Sequence, residues 1–345
     1  MRHVWLSSSL LAALAVTTAS IGEWRTQSTG VTGRLRGVSA VSSRVAWASG
    51  ANGTILRTID GGTAWKALPV PGAETLDFRD VDAMSESVAY ALSIGPGESS
   101  RIYRTTDGGA RWTLQLANTD PRVFLDAMTF RDASHGLAFG DSVDGAFVLF
   151  TTANGGKTWE RMPADRLPPA LPNEGAFAAS GTNVAMHGRD HVWIGTSASR
   201  VLRSGDGGRT WTVATTPLAS GPSAGIFSIA FRDARHGVVV GGDYKKESEA
   251  VDNVAVTSDG GATWTLVKDH GLSGFRSVVA WVPGNARSLL AIGPSGADLS
   301  SDEGHTWSPV EAGGFDTFAF APGGGVGWAA GQGGRVARLR LGEAP

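Results

Sequence analysis

The chain contains no cysteine and is poor in tyrosine and in charged residues. Its 345 residues include 3 Tyr and 18% charged side chains, against a usual charged share of about 25%. The lack of cysteine excludes disulfides, thiolate metal sites and cysteine nucleophiles. A formal net charge of −2 supplies no overall positive field, so we expect no nucleic-acid partner.

Long apolar runs are also scarce, and the one clear run lies at the N-terminus. Arg2 and His3 precede the apolar stretch 4–16, and small residues follow at 17–20. The run is shorter than the roughly 20 apolar residues that span a bilayer comfortably, which is typical of an export signal. We therefore expect a signal peptide over 1–20 and an exported protein, periplasmic or secreted, with no membrane span after signal removal. An uncleaved membrane anchor is the alternative.

Glycine and tryptophan are abundant, with 48 and 12 residues respectively, which is typical of many short strands joined by tight turns. One pattern occurs six times: Thr or Ser, any residue, Asp (Asn in the third copy), two Gly (Glu303-Gly304 in the last and most altered copy), two variable residues and Trp. The acidic and aromatic positions are Asp60 and Trp65, Asp107 and Trp112, Asn154 and Trp159, Asp206 and Trp211, Asp259 and Trp264, and Asp302 and Trp307. The tryptophans are spaced by about 47, 47, 52, 53 and 43 residues, which is the length range of propeller blades.

The motif has the chemistry of a hairpin turn. Asp-Gly and Gly-Gly supply residues with positive φ, and the carboxylate accepts backbone N–H groups within the turn. The alternative is a row of six metal or ligand sites. Because ligand sites are few in any one protein, we interpret these twelve residues as structural.

Each motif is preceded by two further apolar runs, so each repeat predicts four strands. The stretch 315–341 has strand patterns but no motif, whereas Trp24 lies one period before Trp65 without a preceding motif. The two incomplete ends complement each other. We therefore predict an all-β fold, a single domain over 21–345: a seven-bladed β-propeller of four-stranded antiparallel blades, closed by an N-terminal strand in the last blade. Closure leaves no free sheet edge, which predicts a monomer.

The six motifs resemble Asp-box (BNR) repeats, and the closest resemblance in style is to photosystem II assembly/stability factor-like propellers. That resemblance implies an exported seven-bladed protein that acts as an assembly partner rather than as an enzyme. Asp-box propellers also include sialidases and other glycoside hydrolases. The motif belongs to the fold and does not choose between these functions.

Two loop insertions, at 161–175 and 242–252, are predicted to lie on the face opposite the motifs. Function concentrates in loops held by a rigid scaffold, so this face is the candidate binding surface. Its candidate residues are Arg122, Asp141, Asp144, Glu174, Arg200, Asp243, Tyr244, Lys245 and Glu247.

A second candidate site is the mouth of the central channel. Alignment of the innermost strands places Asp80, Asp126, Ser277 and Asp316 in one column, with Arg79 and Arg276 adjacent. The alternative interpretation of this column is a solvated polar channel lining.

An enzyme would need a catalytic set that the sequence supplies poorly. A sialidase requires three arginines and a Tyr nucleophile beside a carboxylate; Tyr244 with Glu247 and Arg122, Arg200 and Arg276 is one such assembly, without a supporting motif. Asp141, Asp243 and Glu174 offer carboxylates for other glycoside hydrolysis, without a spacing signal.

The seven histidines lack metal-ligand spacing, and no phosphate loop or dinucleotide fingerprint is present. We therefore expect no metal and no cofactor. The sequence favours an exported, non-catalytic binding module for a protein, a carbohydrate or a small ligand. A sialidase-like glycoside hydrolase is the alternative.

Overall fold

In the computed structural model, residues 21–342 are described, and they form seven sheets of four antiparallel strands. The first strands of adjacent blades contact one another around a circle: β2 touches β6 and β26, and the remaining first strands continue the series. The predicted seven-bladed propeller is confirmed. The predicted signal peptide, 1–20, lies outside the described residues.

The first three blades follow directly along the chain. Blade 1 contains β2 (Leu35–Ala40), β3 (Ala46–Gly50), β4 (Thr54–Thr58) and β5 (Lys66–Ala67). Blade 2 contains β6 (Asp77–Ala83), β7 (Ala89–Ile94), β8 (Arg101–Thr105) and β9 (Thr113–Ala117). Blade 3 contains β10 (Leu125–Phe130), β11 (Gly136–Val143), β12 (Ala146–Thr152) and β13 (Glu160–Arg161).

The remaining blades repeat this order until the last. Blade 4 contains β14 (Val184–His187), β15 (His191–Gly195), β16 (Arg200–Ser204) and β17 (Thr212–Thr215). Blade 5 contains β18 (Ala224–Phe231), β19 (Gly237–Asp243), β20 (Val254–Thr257) and β21 (Thr265–Leu266). Blade 6 contains β22 (Val278–Trp281), β23 (Leu289–Gly293), β24 (Gly296–Ser300) and β25 (Ser308–Val310). Blade 7 contains β26 (Thr317–Phe320), β27 (Val326–Ala330), β28 (Val336–Leu341) and β1 (Gly22–Gln27).

The ring closes through β1, which pairs antiparallel with β28 over six residue pairs. Trp24 lies opposite Leu339 in this ladder. Its ring stacks on Phe315, with the ring centroids 5.8 Å apart and the planes inclined by 18°, and it meets the edge of Phe318. The predicted closure of the last blade by the N-terminal strand is confirmed.

The six motif turns share one hydrogen-bond pattern. In the first, the Thr58 hydroxyl donates to Asp60 at 2.9 Å and accepts the N–H of Gly62 at 2.9 Å. The same Asp60 oxygen accepts the N–H of Ala64 at 3.1 Å. The other five turns repeat these contacts. The five Asp carboxylates and the Asn154 amide oxygen thus satisfy backbone donors within their own turns.

The turns also define two faces of the disc. In the first turn, Gly61 donates its N–H to the carbonyl of Arg44, in the loop between β2 and β3, at 2.9 Å. The connections between first and second strands therefore share a face with the motif turns, which we call the motif face. The two insertions lie on the opposite face, the insertion face.

Adjacent blades are joined through one recurrent core position on the second strand. It lies opposite the residue that precedes the motif, and it holds Trp47, Tyr90, Leu137, Trp193, Val238, Leu290 and, in the motif-free last blade, Trp328. The tryptophans and the tyrosine reach the next blade: Trp193 donates to the carbonyl of Gly260 at 2.9 Å and Tyr90 to that of Gly155 at 2.9 Å. Blades 3, 5 and 6 carry an aliphatic residue there instead.

Candidate functional site

The innermost strands of four blades are interrupted at equivalent points by an extra residue. The registers break around Arg36 in β2, Arg79 in β6, Asp126 in β10 and Phe227 in β18. A bulge leaves its extra residue unpaired and re-aims the side chain. Three of these four residues, the two arginines and the phenylalanine, line a cavity over the central channel on the insertion face.

This central cavity has a volume of about 420 Å³, within the range of small-molecule sites. Its lining mixes cationic, acidic and aromatic side chains from several blades. The lining residues are Arg34, Arg36, Arg79, Phe177, Ala178, Ala179, Phe227, Tyr244, Glu247, Phe275, Ser277, Pro294 and Asp316.

Two of the three arginines already have acidic partners. Arg34 forms a two-pronged ion pair with Asp316, with N–O distances of 3.0 and 2.5 Å. Arg79 pairs with Asp77 at 2.7 Å and donates to the carbonyl of Ala178 at 2.9 Å. Their charges are largely compensated within the protein.

Arg36 differs from both. Its guanidinium has no hydrogen bond or ion pair with any residue between 21 and 342. Burial, together with the positive charges of Arg79 and Arg34, lowers the pKa of Arg36 to about 10. The group remains charged at neutral pH and forms no ion pair within the described residues, so its N–H donors can bind an incoming anion.

Aromatic rings form the other wall of the cavity. Phe177 and Phe227 stack with their centroids 4.0 Å apart and their planes inclined by 4°, and Phe275 meets Phe227 edge-on at 4.6 Å. Tyr244, from the second insertion, packs edge-on against Phe177 and Phe227 at 6.2 and 6.1 Å. Its side chain is 42% exposed, so it forms the outer lip of this wall.

The first insertion is anchored by a buried ion pair. Glu174 is 1% exposed and binds the guanidinium of Arg200 and, at 2.6 Å, the hydroxyl of Thr196. Its backbone carbonyl accepts the N–H of Ser142 at 3.0 Å. This anchor fixes the segment that carries Phe177 into the cavity.

The proposed site residues therefore separate into groups. Tyr244 and Glu247 from the insertion-face candidates, and Arg79 and Asp316 from the channel-mouth candidates, line the cavity. The structure brings these four together with residues absent from the candidate set, among them Arg34, Arg36, Phe177, Phe227 and Phe275.

Most other candidate residues of the insertion face form ion pairs or hydrogen bonds with residues close to them. Arg122 is exposed and pairs with Asp120 at 2.9 Å and with Asp144 at 2.8 Å. Asp243 accepts the N–H of Lys245 at 2.9 Å. None of Arg122, Asp141, Asp144, Glu174, Arg200, Asp243 and Lys245 lines the central cavity.

The remaining channel-mouth candidates are buried. Asp80 accepts the N–H of Met128 in the next blade at 2.7 Å, and its neighbour Asp82 accepts that of Phe130 at 2.7 Å. Burial raises the pKa of Asp80 well above its usual range and that of Asp82 to about 6. These carboxylates connect blades 2 and 3.

Asp126 and Arg276 are buried in different surroundings. Burial and the nearby Asp141 raise the pKa of Asp126, whose Oδ2 has no hydrogen-bond partner among residues 21–342. Arg276 is 2% exposed and pairs with the buried Asp298 at 2.7 Å. The arginines weighed for a sialidase, Arg122, Arg200 and Arg276, thus each bind a different carboxylate.

No three His, Asp or Glu side chains within 21–342 are grouped as a metal site would require. Nor does this part of the chain contain a helix with the length and apolar character to cross a membrane.

The chain is 25% identical over 224 residues to the chloroplastic photosystem II stability/assembly factor HCF136 of Cyanidioschyzon merolae. The expected resemblance to photosystem II assembly/stability factors is confirmed. The match covers 60% of this chain and 48% of that protein, so the chain spans about half the length of the curated relative it matches. No family model matches the chain.

Solved structures share the fold at lower identity. YCF48 bound to D1 peptide aligns with a TM-score of 0.67 and 17% identity, covering 94% of this chain and 100% of that one. YCF48 from Cyanidioschyzon merolae gives 0.65 and 18%, covering 92% and 98%. The GH74 xyloglucanase from Xanthomonas campestris gives 0.61 and 17%, covering 94% of this chain and 55% of that one. At such identities these likenesses establish the fold and leave function to the site.

Proposed function

We propose that this chain is an exported, non-catalytic binding module of the assembly-factor type, which holds a segment of a protein partner in the central cavity. The observation that carries the proposal is the guanidinium of Arg36, which has no hydrogen-bond or ion-pair partner in the described residues, beside the wall of Phe177, Phe227, Phe275 and Tyr244. YCF48, which shares the fold, has been solved bound to a D1 peptide.

The chemistry of the cavity suits a peptide that carries both an acidic and an apolar group. A carboxylate can receive charge-assisted hydrogen bonds from Arg36. An apolar side chain can pack on the exposed side of Tyr244 and Phe177, which gives the concave, largely apolar contact that recognition sites provide. Glu247 and Asp316 on the same rim disfavour ligands with many negative charges.

One observation supports the glycoside hydrolase alternative: Tyr244 and Glu247 line the same cavity as three arginines. Arg34 and Arg79 already pair with Asp316 and Asp77, so less of their charge is available to clamp a substrate carboxylate as a triad. We therefore favour binding. Turnover of aryl glycosides or sialosides by the purified chain, lost in Glu247→Gln, would favour the hydrolase.

The test of binding is photocrosslinking in the host. With benzoylphenylalanine in place of Tyr244, we expect a protein partner to be captured, and Arg36→Ala to lower the captured yield about 10-fold, the worth of a charge-assisted hydrogen bond. Mass spectrometry of the product identifies the bound segment. In the same sample, an N-terminus near residue 21 would support export, and an intact residue 1–20 segment would contradict signal cleavage.

Arg101→Ala is the matched control, because Arg101 lies on the insertion face outside the lining of the cavity. Its yield should equal that of the parent chain, and Arg36→Lys should recover part of the lost capture. Equal capture by the Arg36→Ala and parent proteins would refute the assignment of this cavity.

A further inference from the structure

A second cavity, of about 400 Å³, lies in the groove between blades 3 and 4 and reaches the motif face. It forms where the recurrent core position holds Leu137 rather than the tryptophan found in blades 1 and 4. Leu137, Met162, Met186 and Val192 supply its apolar surface. Leu137 packs in one buried cluster with Trp211, the motif tryptophan of blade 4.

The motif that borders this groove is also the one that carries Asn154 in place of Asp. The Asn154 oxygen accepts the N–H of Thr158 at 3.0 Å, so its amide nitrogen points toward the Thr158 hydroxyl and donates to it at 2.8 Å. In three other motifs the equivalent Thr hydroxyl donates to the Asp carboxylate. The hydroxyl hydrogen of Thr158 is therefore free to donate to a ligand in the groove.

The charges around the groove favour an anion. Arg131, Arg166 and Arg209 line it together with the carboxylate of Glu160. Arg131 already pairs with Asp132 at 3.4 Å, so Arg166 and Arg209 are the arginines of the groove without an ion-pair partner among the described residues. The side chain of Arg166 has no hydrogen bond or ion pair within the described part of the chain. The replacement of Asp by Asn154 removes one more negative charge from this border.

We propose that this inter-blade groove binds an extended, acidic segment of a protein partner. An apolar side chain of the segment fills the space over Leu137 and the two methionines. A neighbouring carboxylate accepts from the Thr158 hydroxyl and from Arg166 and Arg209. This site is separate from the central cavity, since the two share no lining residue.

The methionines give a direct test. The chain has 5 methionines, and Met162 and Met186 are the two in the groove. The full chain, labelled with carbon-13 at the methionine methyls, is titrated with the blocked hexapeptide Asp-Leu-Asp-Phe-Asp-Gly. We expect saturable shifts of the Met162 and Met186 signals, assigned through Met→Leu variants, and no shift of Met84 or Met128.

The charges of the peptide and of the groove are then varied separately from the volume of the groove. Replacing each Asp of the peptide by Asn, or making Arg209→Ala or Arg166→Ala, should weaken binding about 5-fold each, the effect of one exposed ion pair. Leu137→Trp, which copies blades 1 and 4, should abolish the shifts, and Asn154→Asp should weaken them in a groove of unchanged shape.

Arg36→Ala is the control for the central cavity and should leave these shifts unchanged. The absence of shifts at millimolar peptide, or equal shifts with the Asn peptide, would overturn the proposal. Shifts produced only by phosphatidylglycerol vesicles would overturn it in favour of a membrane-surface site.

Discussion

A chain that lacks residues 1–28 is expected to lose most of its folding stability. The deletion removes all six residue pairs between β1 and β28 and the ring of Trp24 packed on Phe315. Truncation of a core tryptophan to alanine alone costs about 3–5 kcal/mol, against a total stability of about 5–15 kcal/mol for a typical domain. The exposed edge of β28 would also promote aggregation.

The measurement is thermal unfolding followed by circular dichroism, with the soluble yield recorded in parallel. Deletion of residues 1–20 is the matched control, because it leaves β1 intact, and it should unfold at the temperature of the parent chain. We expect the longer deletion to be largely insoluble, or to unfold more than about 10 °C lower. An unchanged melting temperature would contradict the role of β1 as a full member of blade 7.

The second large effect is expected at Arg276. Its guanidinium is buried and binds Asp298, the carbonyl of Phe275 at 2.8 Å and the hydroxyl of Ser273 at 2.6 Å. Asp298 is fully buried, so Arg276→Met would leave its carboxylate without a cationic partner. The loss of one member of a buried ion pair costs about 3–5 kcal/mol.

The double variant Arg276→Met with Asp298→Leu separates the charge from the packing. It should recover most of the loss measured by denaturant unfolding, because apolar pairs replace buried ion pairs at little cost. Arg122→Met, which breaks the two surface pairs with Asp120 and Asp144, should cost less than about 1 kcal/mol. If the double variant is no more stable than Arg276→Met, the loss stems from packing rather than from an unpaired charge.

The fold could be predicted because its signal repeats. Five of the six motifs place two glycines at positive φ, as at Gly61 and Gly62, with φ of 78° and 86°, and Glu303 takes the first of these positions in the sixth. In each motif an Asp or Asn side-chain oxygen satisfies the turn. These local requirements can be recognised in a single sequence, and the spacing of the motifs predicts the length and number of the blades. The position of Trp24, one period before Trp65, was sufficient to predict how the ring closes.

The site was harder to predict because it depends on bulges. An extra residue in a strand does not change its apolar character, so the sequence alignment placed Asp80 in the channel column, one residue beyond the bulged Arg79. The equivalent bulge in β2 turns Arg36 into the cavity, and its sequence signal is a charged residue at the start of an innermost strand.

Which side chains pair with each other was equally hard to predict from the sequence. Arg200 and Glu174 were both predicted as surface binding residues, whereas they bind each other in a buried pair. Residues 26 apart in sequence give no local signal that they meet. Phe177 was not identified because it follows an irregular insertion, where no periodicity indicates which side chains turn inward.

The central claim is that the two ends of the described chain form one sheet, since this closure places Arg34 of the first blade against Asp316 of the last. The absence of cysteine from the chain makes it directly measurable. Glu23 lies opposite Arg340 in the β1–β28 ladder, and directly opposed strand residues lie about 4.5–5.5 Å apart at Cα, within disulfide range. The variant Glu23→Cys with Arg340→Cys is therefore predicted to form an intramolecular disulfide in nearly every molecule, detected by intact mass, whereas Glu23→Cys with Arg335→Cys stays reduced. Two free thiols in the folded Glu23→Cys, Arg340→Cys protein would contradict the closed ring.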